Sequence, residues 1–166
     1  MTACTPSRWD GQPLTIVAHV DGLSGAKVFS GPRNPAVAQW LSDVSEPLFR
    51  LALPRWASAD LEEFSTPEAR AYFTRKKEAM IGSFKDHLAS SIDYIATLNA
   101  FLLVLEPLVQ SPDAVNGVLS EDDIHLFASL RSLSIVRGII YPPTVEAYRL
   151  RMAERTGIDL HDGIAV

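Results

Sequence analysis

Three adjacent carboxylates, Glu121-Asp122-Asp123, are the first place in this chain to look for metal ligation or acid–base chemistry. Their setting points elsewhere. Ser120 precedes them, placing a hydroxyl at an N-cap and the Asp123 carboxylate three residues on. That spacing is a capping box, in which each side chain accepts a bond from the other's backbone N–H. Acidic residues in a first turn are also favoured by the helix dipole. Ser120 and Asp123 are therefore assigned a structural capping role, with Leu119 and Ile124 as its hydrophobic staple. The four histidines, His19, His87, His125 and His161, never fall at the i, i+4 spacing of a helical metal site. His87 and His161 read as solvated, and His19 and His125 as boundary residues beside apolar faces. A nucleophile elbow needs Gly-x-Ser-x-Gly, and Gly22-Leu23-Ser24-Gly25-Ala26 lacks the last glycine. No phosphate-binding P-loop or dinucleotide fingerprint occurs. Cys4 is the single cysteine, so no internal disulfide, zinc cluster or redox pair can form from these residues. With no basic neighbour closer than Arg8, its thiol has no evident activation. Trp9, Trp40 and Trp56 read as packing anchors. No active site emerges, and neither a metal nor a cofactor is expected.

The elements that carry these residues follow the helical period. Leu14, Ile16, Val17 and Val20 suggest a short helix or strand, closed by Asp21-Gly22. Asn34 and Pro35 supply an N-cap and a proline at the first helical position. Val37, Trp40, Leu41, Val44, Leu48 and Leu51 then mark one helix face. Pro47 should kink that helix and Pro54 should end it. Thr66-Pro67 opens a helix to about Met80, with Ala69, Tyr72 and Phe73 inward and Gly82 as its stop. Phe84, Leu88, Ile92, Ile95, Leu98, Leu102 and Leu105 describe a second long helix. The helix after Ser120 is apolar nearly all round, through Ile135 and Val136, and is expected to be central. Pro142-Pro143 opens the last helix, with Val145, Tyr148 and Met152 inward, ending at Gly157.

Composition limits the function classes. The 166 residues are 47% hydrophobic and 21% charged, a globular balance that argues against disorder. A net charge of −5 gives no footprint for nucleic acid or an anionic membrane. The one dense basic run, Arg75-Lys76-Lys77, reads as a solvated face. The longest apolar stretch, Phe101 to Val109, is broken by Glu106 and Pro107 and is short of the roughly 20 residues of a membrane span. The start of the chain resembles no secretion signal, so a cytoplasmic protein is expected.

One ordered set of motifs goes beyond periodicity: Leu53-Pro54-Arg55-Trp56, Glu63-Phe64-Ser65-Thr66-Pro67-Glu68-Ala69-Arg70, Ala114-Val115-Asn116-Gly117 and Leu119 to Ile124. The set closely resembles the C-terminal domain of the bacterial glutaredoxin 2 family. The ending, from Tyr148 through Ile158 to Ile164-Ala165-Val166, is similar too, and the likeness runs from about Ser7 onward. The resemblance implies an all-α helical bundle like the glutathione transferase C-terminal domain over residues 31–166. Residues 1–30 would be a linker and a short N-terminal remnant of a thioredoxin-like domain, including Ser7-Arg8-Trp9 and Ile16 to Asp21. In that family a thioredoxin-like domain carries a Cys-Pro-x-Cys pair, a cis-proline and the glutathione site, none of which appears in these residues. Positions that hold the glutamyl end of glutathione correspond to Gln12, which carries no negative charge for the glutathione ammonium, and Pro13, which supplies neither hydroxyl nor N–H. No family active-site residue carries over.

The expectation is a non-catalytic interaction module, with a rival: part of a glutathione-dependent disulfide oxidoreductase whose redox domain is missing from this chain. The implied partners are a second copy or a thioredoxin-fold domain. Trp40, Leu48 and Phe49, on the kinked helix, are the candidate interface residues.

Overall fold

The computed structural model describes residues 13–23 and 25–166. Cys4, Trp9, Gln12 and Ser24 lie outside the described residues. Helix α1 (Pro13–Leu23) resolves the open choice between helix and strand at this segment. Its Asp21 carboxylate accepts from the backbone N–H groups of Val28 (2.7 Å) and Phe29 (3.2 Å), turning the chain toward the bundle. The linker is fastened at Gly31, whose N–H donates to the Leu119 carbonyl at 2.7 Å. A Cβ at Gly31 would sit 2.2 Å from the Val118 carbonyl oxygen, so only glycine fits this approach. Gly31→Ala is expected to cost about 1–3 kcal/mol as an overpacked backbone contact. Chemical denaturation checks it; a loss below about 0.5 kcal/mol, the usual surface range, would show that the linker yields freely.

Helix α2 (Pro35–Ser58) begins at Asn34, whose side chain accepts from Ala36 N at 3.0 Å. It contains both Pro47 and Pro54, so Pro54 does not end it as the sequence suggested. Packing explains the difference. Leu51, Ala52, Leu53, Arg55 and Ala57 are all buried around Pro54, and that burial outweighs one missing backbone bond. The helix ends only at Ala59, where Arg70 donates to the carbonyls of Ala57, Ala59 and Phe64.

Helix α3 (Pro67–Ile81) starts at Thr66, whose hydroxyl accepts from Ala69 N at 3.2 Å, and stops at Gly82 with φ +94°. No residue of α3 is fully buried. Tyr72, expected inward, is exposed beneath Arg75 and Lys76; Ala69 is half-buried, and Phe73 packs against Leu53, Ala57 and Phe84. The expected second long helix is two, α4 (Phe84–Ala89) and α5 (Ser91–Leu105), broken at Ser90. The break redirects the apolar stripe, so Leu88 and Ile92 are exposed while Leu98, Leu102 and Leu105 are wholly buried. Ser91–Leu108 is also 18 residues of mean hydropathy 1.3, long and apolar enough to cross a membrane, which the shorter stretch read from sequence did not predict. Those three leucines place it against the bundle core.

Helices α6 (Glu121–Leu133) and α7 (Pro143–Thr156) complete the bundle, α7 ending at Gly157 in the left-handed conformation, φ +66°. The centre is α2, which packs against α3, α4, α5 and α6, rather than α6 as expected. Ile135 and Val136 lie past the end of α6, and its outward side carries His125 and Ala128. The core joins Val37, Val44 and Leu51 of α2 to Leu126 and Leu130 of α6 and Val145 and Tyr148 of α7. Among the described residues no strand forms. The last segment is clipped down by Val166, whose N–H donates to Ile135 O at 3.0 Å and whose oxygen accepts from Arg55 Nε at 2.9 Å.

Candidate functional site

The acidic trio turns inward. Asp123 is 1% exposed, and its carboxylate accepts from Val115 N (2.7 Å), Ser120 N (2.8 Å), Ser120 Oγ (3.2 Å) and Tyr148 OH (2.9 Å). Ser120 and Asp123 form the capping box of α6. Asp122, equally buried, accepts from Asn34 N at 2.7 Å and Asn116 Nδ2 at 2.8 Å, with Arg33 3.7 Å away. The two carboxylates thus tie the start of α2, the 115–120 loop and α7 to one helix end. The Tyr148 phenol is pushed well above its usual range by burial and then by the Asp123 charge, so it stays a donor. Charges spent on buried protein donors are not available to a substrate. Among the described residues no group of three or more His, Cys, Asp or Glu is placed to hold a metal.

The histidines divide differently from the expectation. His87 is buried rather than solvated, its Nε2 donating to the Ile81 carbonyl at 2.7 Å and its ring edge-on to Tyr94. His161 is half-buried, 6.5 Å from the Trp56 ring, with its backbone N–H on Ser134 Oγ at 2.7 Å. Burial, then the nearby Arg131 charge, holds its imidazole below the ordinary histidine range. His19 and His125 are exposed.

Of the three candidate interface residues, two are core. Trp40 is 3% exposed, with its indole N–H on the Phe101 carbonyl at 2.7 Å, and Leu48 is 4% exposed. Trp40 is closed off in the core, whereas Leu48, though buried, lines a cleft. Phe49 is 39% exposed and lines a cleft.

Several clefts of about 400–450 Å³ open among the described residues. One, of about 450 Å³ between α2 and α6, is lined by Leu41, Leu48, Phe49, His125 and Ala128. A second, of about 430 Å³ between α6 and α7, is lined by Phe29, Ile124, Phe127, Met152 and Ile158. Ala128 and Ser132 line both; the first cleft is mixed, with Arg33, Ser45 and Ser129 beside its apolar residues, and the second is mostly apolar. A third, of about 420 Å³, lies where the end of α2 meets Glu62–Phe64 and Asp159–His161. On α1, Ile16, Val20 and Leu23 are exposed at i, i+4 and i+7. Sequence reading missed the grooves. Their only linear signal is the small residues Ala128, Ser129 and Ser132 on the outer side of an otherwise apolar helix.

Comparison with known proteins fits this architecture. Residues 36–165 match the family described as glutaredoxin 2, C-terminal domain. The chain is 45% identical over 160 residues to glutaredoxin 2 of Escherichia coli K12, covering 96% of this chain and 74% of that protein. Glutaredoxin 2 of Escherichia coli O157:H7 matches to the same extent. The crystal structure of glutaredoxin 2 from Salmonella typhimurium in complex with glutathione superimposes with a TM-score of 0.90 at 44% identity, over 99% of this chain and 83% of that one. The chain therefore belongs to the glutaredoxin 2 family, and its helical bundle is that family's C-terminal domain.

Proposed function

We propose that this chain acts as a non-catalytic interaction module that docks a thioredoxin-fold domain across the ridge of α6. The observation that carries the reading is the pair of clefts that share Ala128 and Ser132, one mixed and one mostly apolar. Apolar surface of this kind is normally covered by a partner, and small residues on the ridge let a second backbone approach closely. The exposed Ile16, Val20 and Leu23 of α1 offer a further apolar stripe to the same kind of partner. The 166 residues contain one cysteine, so the dithiol of a glutaredoxin must come from another domain. Glutathione is accordingly expected to bind the assembly and not this bundle alone.

A second reading is favoured by the glutathione held in the Salmonella relative. Here the chain is one part of a glutathione-dependent disulfide oxidoreductase, and the docked domain supplies the thiols. The two readings share an interface and differ in what the assembly does. Light scattering after mixing the chain with a separately expressed thioredoxin-fold domain bearing Cys-Pro-x-Cys tests that interface. A one-to-one complex is expected, weakened at least about tenfold by Ala128→Arg, which puts a charge on the exposed ridge. A stable homodimer, or a complex indifferent to Ala128→Arg, would contradict the docking surface.

A further inference from the structure

The groove between α6 and α7 combines a buried apolar floor with a single cation. Phe127 and Met152, both buried, form its depth, and Phe29, Ile124 and Ile158 stand around them. Most polar groups that line it are already spent within the chain. Ser132 Oγ donates to the Ala128 carbonyl and Thr156 Oγ1 to the Met152 carbonyl, each at 2.8 Å, so both hydroxyl protons are committed. The Asp123 carboxylate already accepts four bonds. Arg131 is the exception. Its Nε donates to the Asp159 carbonyl at 2.8 Å, but its guanidinium is in no ion pair among the described residues. Asp123 lies about two turns, or about 12 Å, back along the same helix. The groove therefore has a cationic end at Arg131 and an anionic end at Asp123, with apolar surface between them.

We infer that this groove binds an amphipathic anion, an apolar body carrying one carboxylate, with the carboxylate at Arg131 and the body over Phe127 and Met152. A volume of about 430 Å³ is that of a small-molecule site, mostly apolar with a few polar groups that fix orientation. Burial of the apolar body supplies affinity, and the planar guanidinium, whose fork matches a carboxylate, supplies direction. A cationic head would be repelled by Arg131, and an anion turned end for end would face Asp123. An uncharged ligand would leave the guanidinium unanswered. The ligand needs no docked domain, so this inference and the docking reading fail separately although they share the groove.

Methyl NMR of the whole chain, with no other protein present, tests this by titration with octanoate, decanoate and decylammonium. Met152 lines the groove, whereas Met80, exposed on α3, does not and serves as the internal control. Met152→Leu and Met80→Leu assign the two signals. Decanoate is expected to shift the Met152 signal saturably and to leave Met80 in place. Its two extra methylenes should make it bind about tenfold more tightly than octanoate. Its head group should make it bind at least about tenfold more tightly than decylammonium. Arg131→Gln is expected to weaken decanoate by about tenfold and to leave decylammonium no weaker. Arg131 also holds the Asp159 carbonyl, so the head-group comparison on the unaltered chain decides the matter should that variant loosen the fold. Equal binding of decanoate and decylammonium, a Met80 shift as large as that of Met152, no shift up to about 5 mM decanoate, or unchanged decanoate binding by a folded Arg131→Gln would overturn the inference.

Discussion

Asp123→Ala is expected to destabilise the chain by about 4 kcal/mol. Alanine leaves the buried N–H groups of Val115 and Ser120 and the Tyr148 hydroxyl without an acceptor. Each stranded donor costs about 1–3 kcal/mol, reduced where water enters the gap. At this chain length the loss corresponds to a fall in Tm of about 8–16 °C. Tyr148→Phe removes one of the same bonds and leaves the other donors satisfied, so it should cost only about 1 kcal/mol. Denaturant titration of the two variants checks the ordering. If Asp123→Ala costs no more than Tyr148→Phe, the buried carboxylate is not the tie between α6, α7 and the 115–120 loop.

Trp40→Ala is expected to be as severe, at about 3–5 kcal/mol, because it empties a large volume from the core. It also removes the indole N–H bond to the Phe101 carbonyl. Phe49→Ala, on the same helix but exposed, should stay within about 0.5 kcal/mol. The contrast separates two roles for the kinked helix. A core Trp40 unfolds the chain when lost, whereas an interface Trp40 would change association and leave Tm alone. Thermal melts with light scattering on both variants make that distinction.

Helix starts were legible because caps are local. Asn34-Pro35, Thr66-Pro67 and Ser120 with Asp123 each satisfy backbone donors within a few residues, and Gly82 and Gly157 stop helices through their own conformations. Errors arose where distant packing overrides local preference. Pro54 stays within α2 because buried neighbours hold the turn, and Ser90 divides a continuous apolar stripe in two. Trp40 read as a surface candidate because periodicity gives a face without saying what lies against it. The family was legible from ordered motifs, and the capping box from spacing alone. The two grooves and the third cleft were not, since each is assembled from segments far apart in sequence. Trp56 and His161, which meet at one wall, are the clearest case.

In the proposed role the bundle performs no redox catalysis itself and works by docking a domain that does. Glutathione-dependent reduction of a small mixed disulfide tests it most directly, run with the chain alone, with Cys4→Ser, and with a thioredoxin-fold domain added. No turnover above that of glutathione itself is expected for the chain alone or for Cys4→Ser, and turnover is expected only with the added domain. Activity of the chain alone that Cys4→Ser abolishes would contradict it.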